Sequence, residues 1–136
     1  MPEKATMQRA KKDLREGKSA STAAGEFVRE EIDHVREGKH GVRSPQQAIA
    51  IGLSKARRAG IPLKPPGRGK TSEETRHKAE RDFQEGMTHP KTGSEASTKR
   101  GRARLNTMKR EPKSTTSHKA LSEHAKRAAH RRKKNA

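Results

Sequence analysis

The sequence predicts an all-α chain. A small three-helix head spans residues 1–63, a linker 64–70, and a basic, marginally helical or disordered extension 71–136. Three observations predict this. Apolar residues before residue 64 recur at spacings of three and four, between recognisable helix caps. Large apolar residues are scarce: Leu, Ile, Val and Phe make 14 of 136, about a tenth, and 11 of them precede residue 64. A highly charged chain below about 20% is ordinarily disordered. Charge runs the other way, with 13 basic and 8 acidic residues up to 63 and 21 and 8 beyond, within a net charge of +18.

The first helix runs from about Pro2 to Glu16. Met7, Ala10 and Leu14 lie on one face, and Gly17 stops it. The second follows the Ser19–Thr22 cap cluster to Gly38, with Ala24, Val28, Ile32 and Val35 as its apolar stripe and Phe27 at the edge. Glu26, Glu30, Asp33 and Glu37 form an acidic stripe that reads as a solvated face, or as a dock for the basic tail. In the third, Ser44-Pro45-Gln46-Gln47 is a capping box with proline at the first helical position. Ile49, Gly52, Leu53, Ala56 and Ala59 share its apolar face. Ser54, Gln47, Arg58 and Lys55 lie opposite, Arg57 flanks, and Ile51 reads as one exposed isoleucine. Gly60, Ile61 and Pro62 end it.

Leu14–Gly17, Val35–Gly38 and Phe83–Gly86 repeat one pattern, an apolar residue three before a glycine that reads as a helix stop. Beyond the Lys64-Pro65-Pro66-Gly67 linker, Thr71-Ser72-Glu73-Glu74 opens a helix to Glu85 with Thr75, Ala79 and Phe83 on one side. Shorter helices follow around Arg102–Arg110 and after Ser117. Such alanine-rich basic helices are marginal in water without packing.

The composition excludes whole classes. The few large side chains cannot both fill a core and line an enzyme pocket, so no enzyme and no catalytic residue is expected. With no cysteine there is no disulfide or thiolate metal site. His34, His40, His77, His89, His118, His124 and His130 show no i, i+4 pair and no carboxylate partner pattern, so no metal and no cofactor is expected. No window approaches the ~20 apolar residues of a membrane span, and Met-Pro-Glu-Lys lacks the apolar region of a secretory signal. Gly67-Arg68-Gly69-Lys70-Thr71 ends like a phosphate-binding loop, but Lys64 stands where that motif needs glycine.

What remains is a cation-rich chain suited to a polyanion. Lys55, Arg57 and Arg58 are read as a folded basic face, and Arg68 and Lys70 as linker cations. Lys99, Arg100, Arg102 and Arg104 surround a glycine that would let Arg100 and Arg102 enter an A·T-rich minor groove. Lys126, Arg127, Arg131, Arg132, Lys133 and Lys134 are read as phosphate contacts. Only Phe27 and Phe83 are aromatic beside the histidines. Readers of single strands stack bases on rings, so double-stranded DNA bound through its phosphates is the expected partner.

Residues 26–60, from Glu26-Phe27-Val28-Arg29-Glu30-Glu31-Ile32 through Gly38-Lys39-His40-Gly41-Val42-Arg43-Ser44-Pro45-Gln46-Gln47-Ala48-Ile49-Ala50-Ile51-Gly52-Leu53-Ser54-Lys55-Ala56-Arg57-Arg58-Ala59-Gly60, resemble a family of short, very basic bacterial proteins catalogued as a domain of unknown function. The likeness covers roughly residues 3–65. It implies a bacterial cytoplasmic setting and a DNA-binding role, and assigns no site residues. The expectation is a sequence-tolerant, nucleoid-associated or histone-like binder, with a homodimer through the head accommodating its small core. Ribosomal or other structured RNA, or a protein partner of a stress-related disordered adaptor, are the alternatives.

Overall fold

The computed structural model describes residues 4–90 and 99–134, and of residues 100 and 101 the backbone alone. Its helices are α1 Lys4–Arg15, α2 Ala20–Arg36, α3 Pro45–Arg58, α4 Glu73–Thr88, α5 Lys99–Lys109 and α6 His118–Lys134, with a 3-10 turn at Ser114–Thr116. Pro2 lies outside the described residues. The local signals place the helix ends well. Ser19, Ser44 and Ser72 each accept a hydrogen bond from the backbone N–H three residues on. At Gly60, φ is +97°; its N–H bonds Arg57 O at 3.1 Å and the Ile61 N–H bonds Ala56 O at 3.1 Å. That pair of bonds closes a helix on a left-handed residue, and Gly17 and Gly38 end α1 and α2 the same way.

The expected split into a three-helix head and a marginal or disordered extension does not hold. Among the described residues, helices run through both halves of the chain, and the second half packs on the first. α3 lies centrally, against α2, α4 and the start of α6. One apolar cluster joins Met7, Ala10, Ala23, Ala24, Phe27, Ala56, Ala59 and Ile61. A second joins Val35, Val42, Ala48 and Ile51, and is completed by Met108 from α5. Phe27 is fully buried rather than marginal, and Ile51 is 5% exposed. Ile51 is buried because α3 is covered on more than one side, so one apolar stripe could not describe it.

Packing here uses small residues and backbone bonds rather than large side chains. A Cβ on Gly52 would sit 2.6 Å from Val28 Cα, so α2 and α3 cross with their backbones close. Gly86 is not a stop: α4 continues through it, and any Cβ there would overlap the carbonyl of Arg57. Ser54 Oγ donates to Asp82 Oδ2 at 2.6 Å, fixing α4 on α3. Segment 108–116 is stitched to the loop after α2. Gly41 N–H donates to Met108 O at 2.7 Å, Val42 N–H to Pro112 O at 2.9 Å, and Thr115 Oγ1 to Val42 O at 2.9 Å. Arg36 adds a bond to Thr116 O, and Arg43 pairs with Glu111 at 3.0 Å.

The acidic stripe of α2 is divided rather than solvated. Glu26 pairs with Arg9 at 3.1 Å, and buried Glu30 accepts from Thr6 Oγ1 at 3.2 Å, both across to α1. Glu37 remains exposed beside Lys39. The tail therefore does not find this stripe open. No described helix is long and apolar enough to cross a membrane.

Candidate functional site

The structure separates the sequence-predicted cations into two groups. Lys55, Arg57 and Arg58 are not a basic face. Lys55 is 8% exposed, and its ammonium lies 2.7 Å from Glu31 Oε2. Arg57 is equally buried and donates to the carbonyls of Leu63 at 3.2 Å and Lys64 at 3.4 Å, tying down the extended chain after α3. Burial pulls its guanidinium below the ordinary value, and Asp82 opposes that. Arg58 is half-buried and reaches back to Ser54 O at 3.5 Å.

The other group faces solvent. Arg68 and Lys70 are exposed in the α3–α4 connection. Lys99, Arg102 and Arg104 are exposed on α5. Because 99–109 is helical, Arg100, Gly101 and Arg102 do not form the extended element expected for a minor-groove insertion. The Arg100 side chain lies outside the described residues.

α6 carries the densest field. It has no buried residue, and Lys126, Arg127, Arg131, Arg132, Lys133 and Lys134 are all exposed. With Lys119 they make seven basic residues against the single Glu123. Among the described residues, no ion pair engages any of these seven. Lys119, Lys126, His130 and Lys133 fall at i, i+7, i+11 and i+14, one continuous face. Lys126, Arg127, His130 and Arg131 line a shallow groove open to solvent. Seventeen residues at ~1.5 Å each extend this field over about 25 Å. Ser117 caps the helix, accepting from the Ala120 N–H at 3.1 Å.

A second constellation, absent from the sequence reading, sits in the interior. Glu31 is 1% exposed and lies between two nitrogens, Lys55 Nζ at 2.7 Å on Oε2 and His40 Nε2 at 2.9 Å on Oε1. Burial, the largest single influence, pushes its carboxyl up. The His40 ring and the Lys55 ammonium together outweigh that and hold it down at about 2. His40 Nδ1 lies 3.1 Å from its neighbour's carbonyl, Gly41 O. The His34 ring meets the His40 ring edge-on, centroids 6.3 Å apart. The missed signal was the Glu31-x-x-His34 spacing. It sets a carboxylate and an imidazole on one helical face, with His40 returning past the Gly38 stop.

Protein-family models, curated proteins and solved structures all lack a match to this chain.

Proposed function

We propose that this chain is a non-enzymatic, sequence-tolerant DNA-binding protein of the nucleoid-associated or histone-like kind, holding duplex DNA through its phosphates. The observation that carries this reading is α6: a helix with no buried residue, whose seven basic residues are all exposed and have no acidic partner among the described residues. A folded chain that held such a field only for internal pairing would place carboxylates against it. B-DNA presents one phosphate charge per ~1.7 Å of axis, so a face about 25 Å long spans many of them. Arg68, Lys70, Lys99, Arg102 and Arg104 add solvent-facing cations in the connection and on α5. No Phe, Tyr or Trp is exposed beside these cations to stack on bases, which supports backbone contact over base readout. The resemblance of residues 26–60 implies the same role and adds no contact residue.

The test is fluorescence anisotropy of labelled duplexes of unrelated sequence, from ~50 to ~200 mM salt. With about 8 phosphates engaged, log K against log salt slopes at about −7, with little change between sequences. Affinity indifferent to salt over that range removes the proposal. A folded RNA that outcompetes duplex DNA at equal salt moves it to RNA.

A further inference from the structure

We propose that Glu31, His34 and His40 form a binding site for one divalent transition-metal ion, of which Zn²⁺ fits the donor set best. This site is separate from the cationic surface and does not rest on the DNA-binding reading. Glu31 and His34 come from the last turns of α2, and His40 from the loop just after it. One donor atom from each lies within 4.8 Å of the other two. Two imidazoles and a carboxylate suit Zn²⁺, and three protein ligands leave a fourth position for water.

The orientation of the groups points to a metal more than proximity does. A carbonyl can only accept, so the His40 Nδ1 contact with Gly41 O places the ring proton on Nδ1. When the ring carries only that proton, as a ligating imidazole does, the Nε2 lone pair faces Glu31. A ring fixed by a backbone carbonyl on one nitrogen, with the other turned inward, is the usual state of a ligating histidine. Glu31 is held in the same manner. Lys55 takes Oε2 at 2.7 Å, while buried Oε1 receives no well-directed hydrogen bond. His40 Nε2 stands 2.9 Å from Oε1, near enough for a hydrogen bond but not directed as one. Buried carboxylate oxygens are ordinarily satisfied by directed donors, so Oε1 and the inward imidazole nitrogen beside it are the pair a cation would bridge.

The fit needs a small closure. Metal–ligand bonds of ~2.1 Å at tetrahedral angles set donors about 3.4 Å apart. Oε1 and Nε2 must open slightly from 2.9 Å, and the third donor must move in from within 4.8 Å. His34 is half-buried where Glu31 and His40 are buried, so it is the solvent-side donor of the three. The competing occupant is a second proton on His40 Nε2, which would make the cluster a plain ion network of Lys55, Glu31 and His40.

Metal titration of the full chain separates the two. The protein, stripped with a chelator, is titrated with Co²⁺ and followed by visible absorption, then with Zn²⁺ against a chromophoric chelator and by thermal melting. The expected result is one Co²⁺ per chain with a ligand-field band that Zn²⁺ abolishes, and a melting temperature raised by Zn²⁺. His34→Ala removes the solvent-side donor, weakens Zn²⁺ binding at least tenfold and loses the thermal shift. His34→Gln keeps the volume and gives the same readout should the alanine variant melt early. His130→Ala, on α6, retains both signals. No ligand-field band with no Zn²⁺-dependent melting shift overturns the proposal. So does binding by either His34 variant as tight as by the unaltered chain.

Discussion

Replacing Lys55 by methionine tests the reassignment of this residue from DNA contact to interior ion pair. The substitution keeps an unbranched side chain of similar length and removes only the ammonium 2.7 Å from Glu31 Oε2. Glu31 is 1% exposed, so its carboxylate would lose its nearest cation without gaining water. Breaking a buried pair from one side costs about 3–5 kcal/mol, because an uncompensated charge is left behind. Whole domains are stable by about 5–15 kcal/mol, so the loss is large. For a chain of this length it lowers the melting temperature by about 10–20 °C. Far-UV circular dichroism measures the melt. Glu31→Gln combined with Lys55→Met removes both charges and recovers more than half of the loss. In the same protein the salt slope of DNA binding stays at its original value, since a buried ammonium reaches no phosphate. If K55M instead melts within ~2 °C of the parent and its slope falls by about 1, Lys55 is a surface cation and the interior assignment is wrong.

Three further outcomes follow from the same structure. Changing Lys126, Arg127, Arg131 and Lys133 together to glutamine leaves the melting temperature within a few degrees, because nothing on α6 is buried, while the salt slope drops by up to about 3.6 in anisotropy titrations. Gly25→Ala stabilises by about 0.5–1 kcal/mol in urea melts, since nothing lies near its Cβ position in α2. Gly52→Ala and Gly86→Ala destabilise by about 1–3 kcal/mol by forcing backbones apart. Stability falls with acid in a defined window. The Glu31 carboxyl ionises at about 2 when folded against 4.5 ordinarily, so its contribution of about 3 kcal/mol is complete above pH 4.5 and is lost as pH falls toward 2. Urea midpoints across that range show the loss, and Glu31→Gln flattens it.

How far the fold could be read in advance depended on the range of each interaction. Ser19, Ser44 and Ser72 announce helix starts, and Gly17, Gly38 and Gly60 announce stops, because caps bond only three to five residues along the chain. Gly86 carries the same local pattern as those stops and behaves differently. Its role is set by Arg57, 29 positions away. The extension looked marginal because Met108, Ala79 and Phe83 are few. It is held instead by hydrogen bonds from Gly41, Val42 and Thr115, which leave no hydropathy signature. The cations of α6 are exposed as the sequence suggests, whereas Lys55 and Arg57 look identical to them in sequence and are buried. Glu31 and His34 share a helical face, but a single i, i+3 carboxylate–imidazole pair is no pattern by itself; His40 joins it only past the Gly38 turn and Lys55 only through the packing of α3 on α2.

The amino-acid sequence by itself determined that the chain is helical, where most helices begin and end, that it is strongly cationic and that it has no Tyr or Trp to stack on bases. These are properties of single residues and of near neighbours. Tertiary structure alone decided which cations remain outside, that α3 is covered on more than one side, and that Glu31, His34, His40 and Lys55 meet in the interior. The physical reason is that burial and close backbone approach depend on partners far along the chain. A lysine gives no local sign of whether a carboxylate or solvent awaits its ammonium.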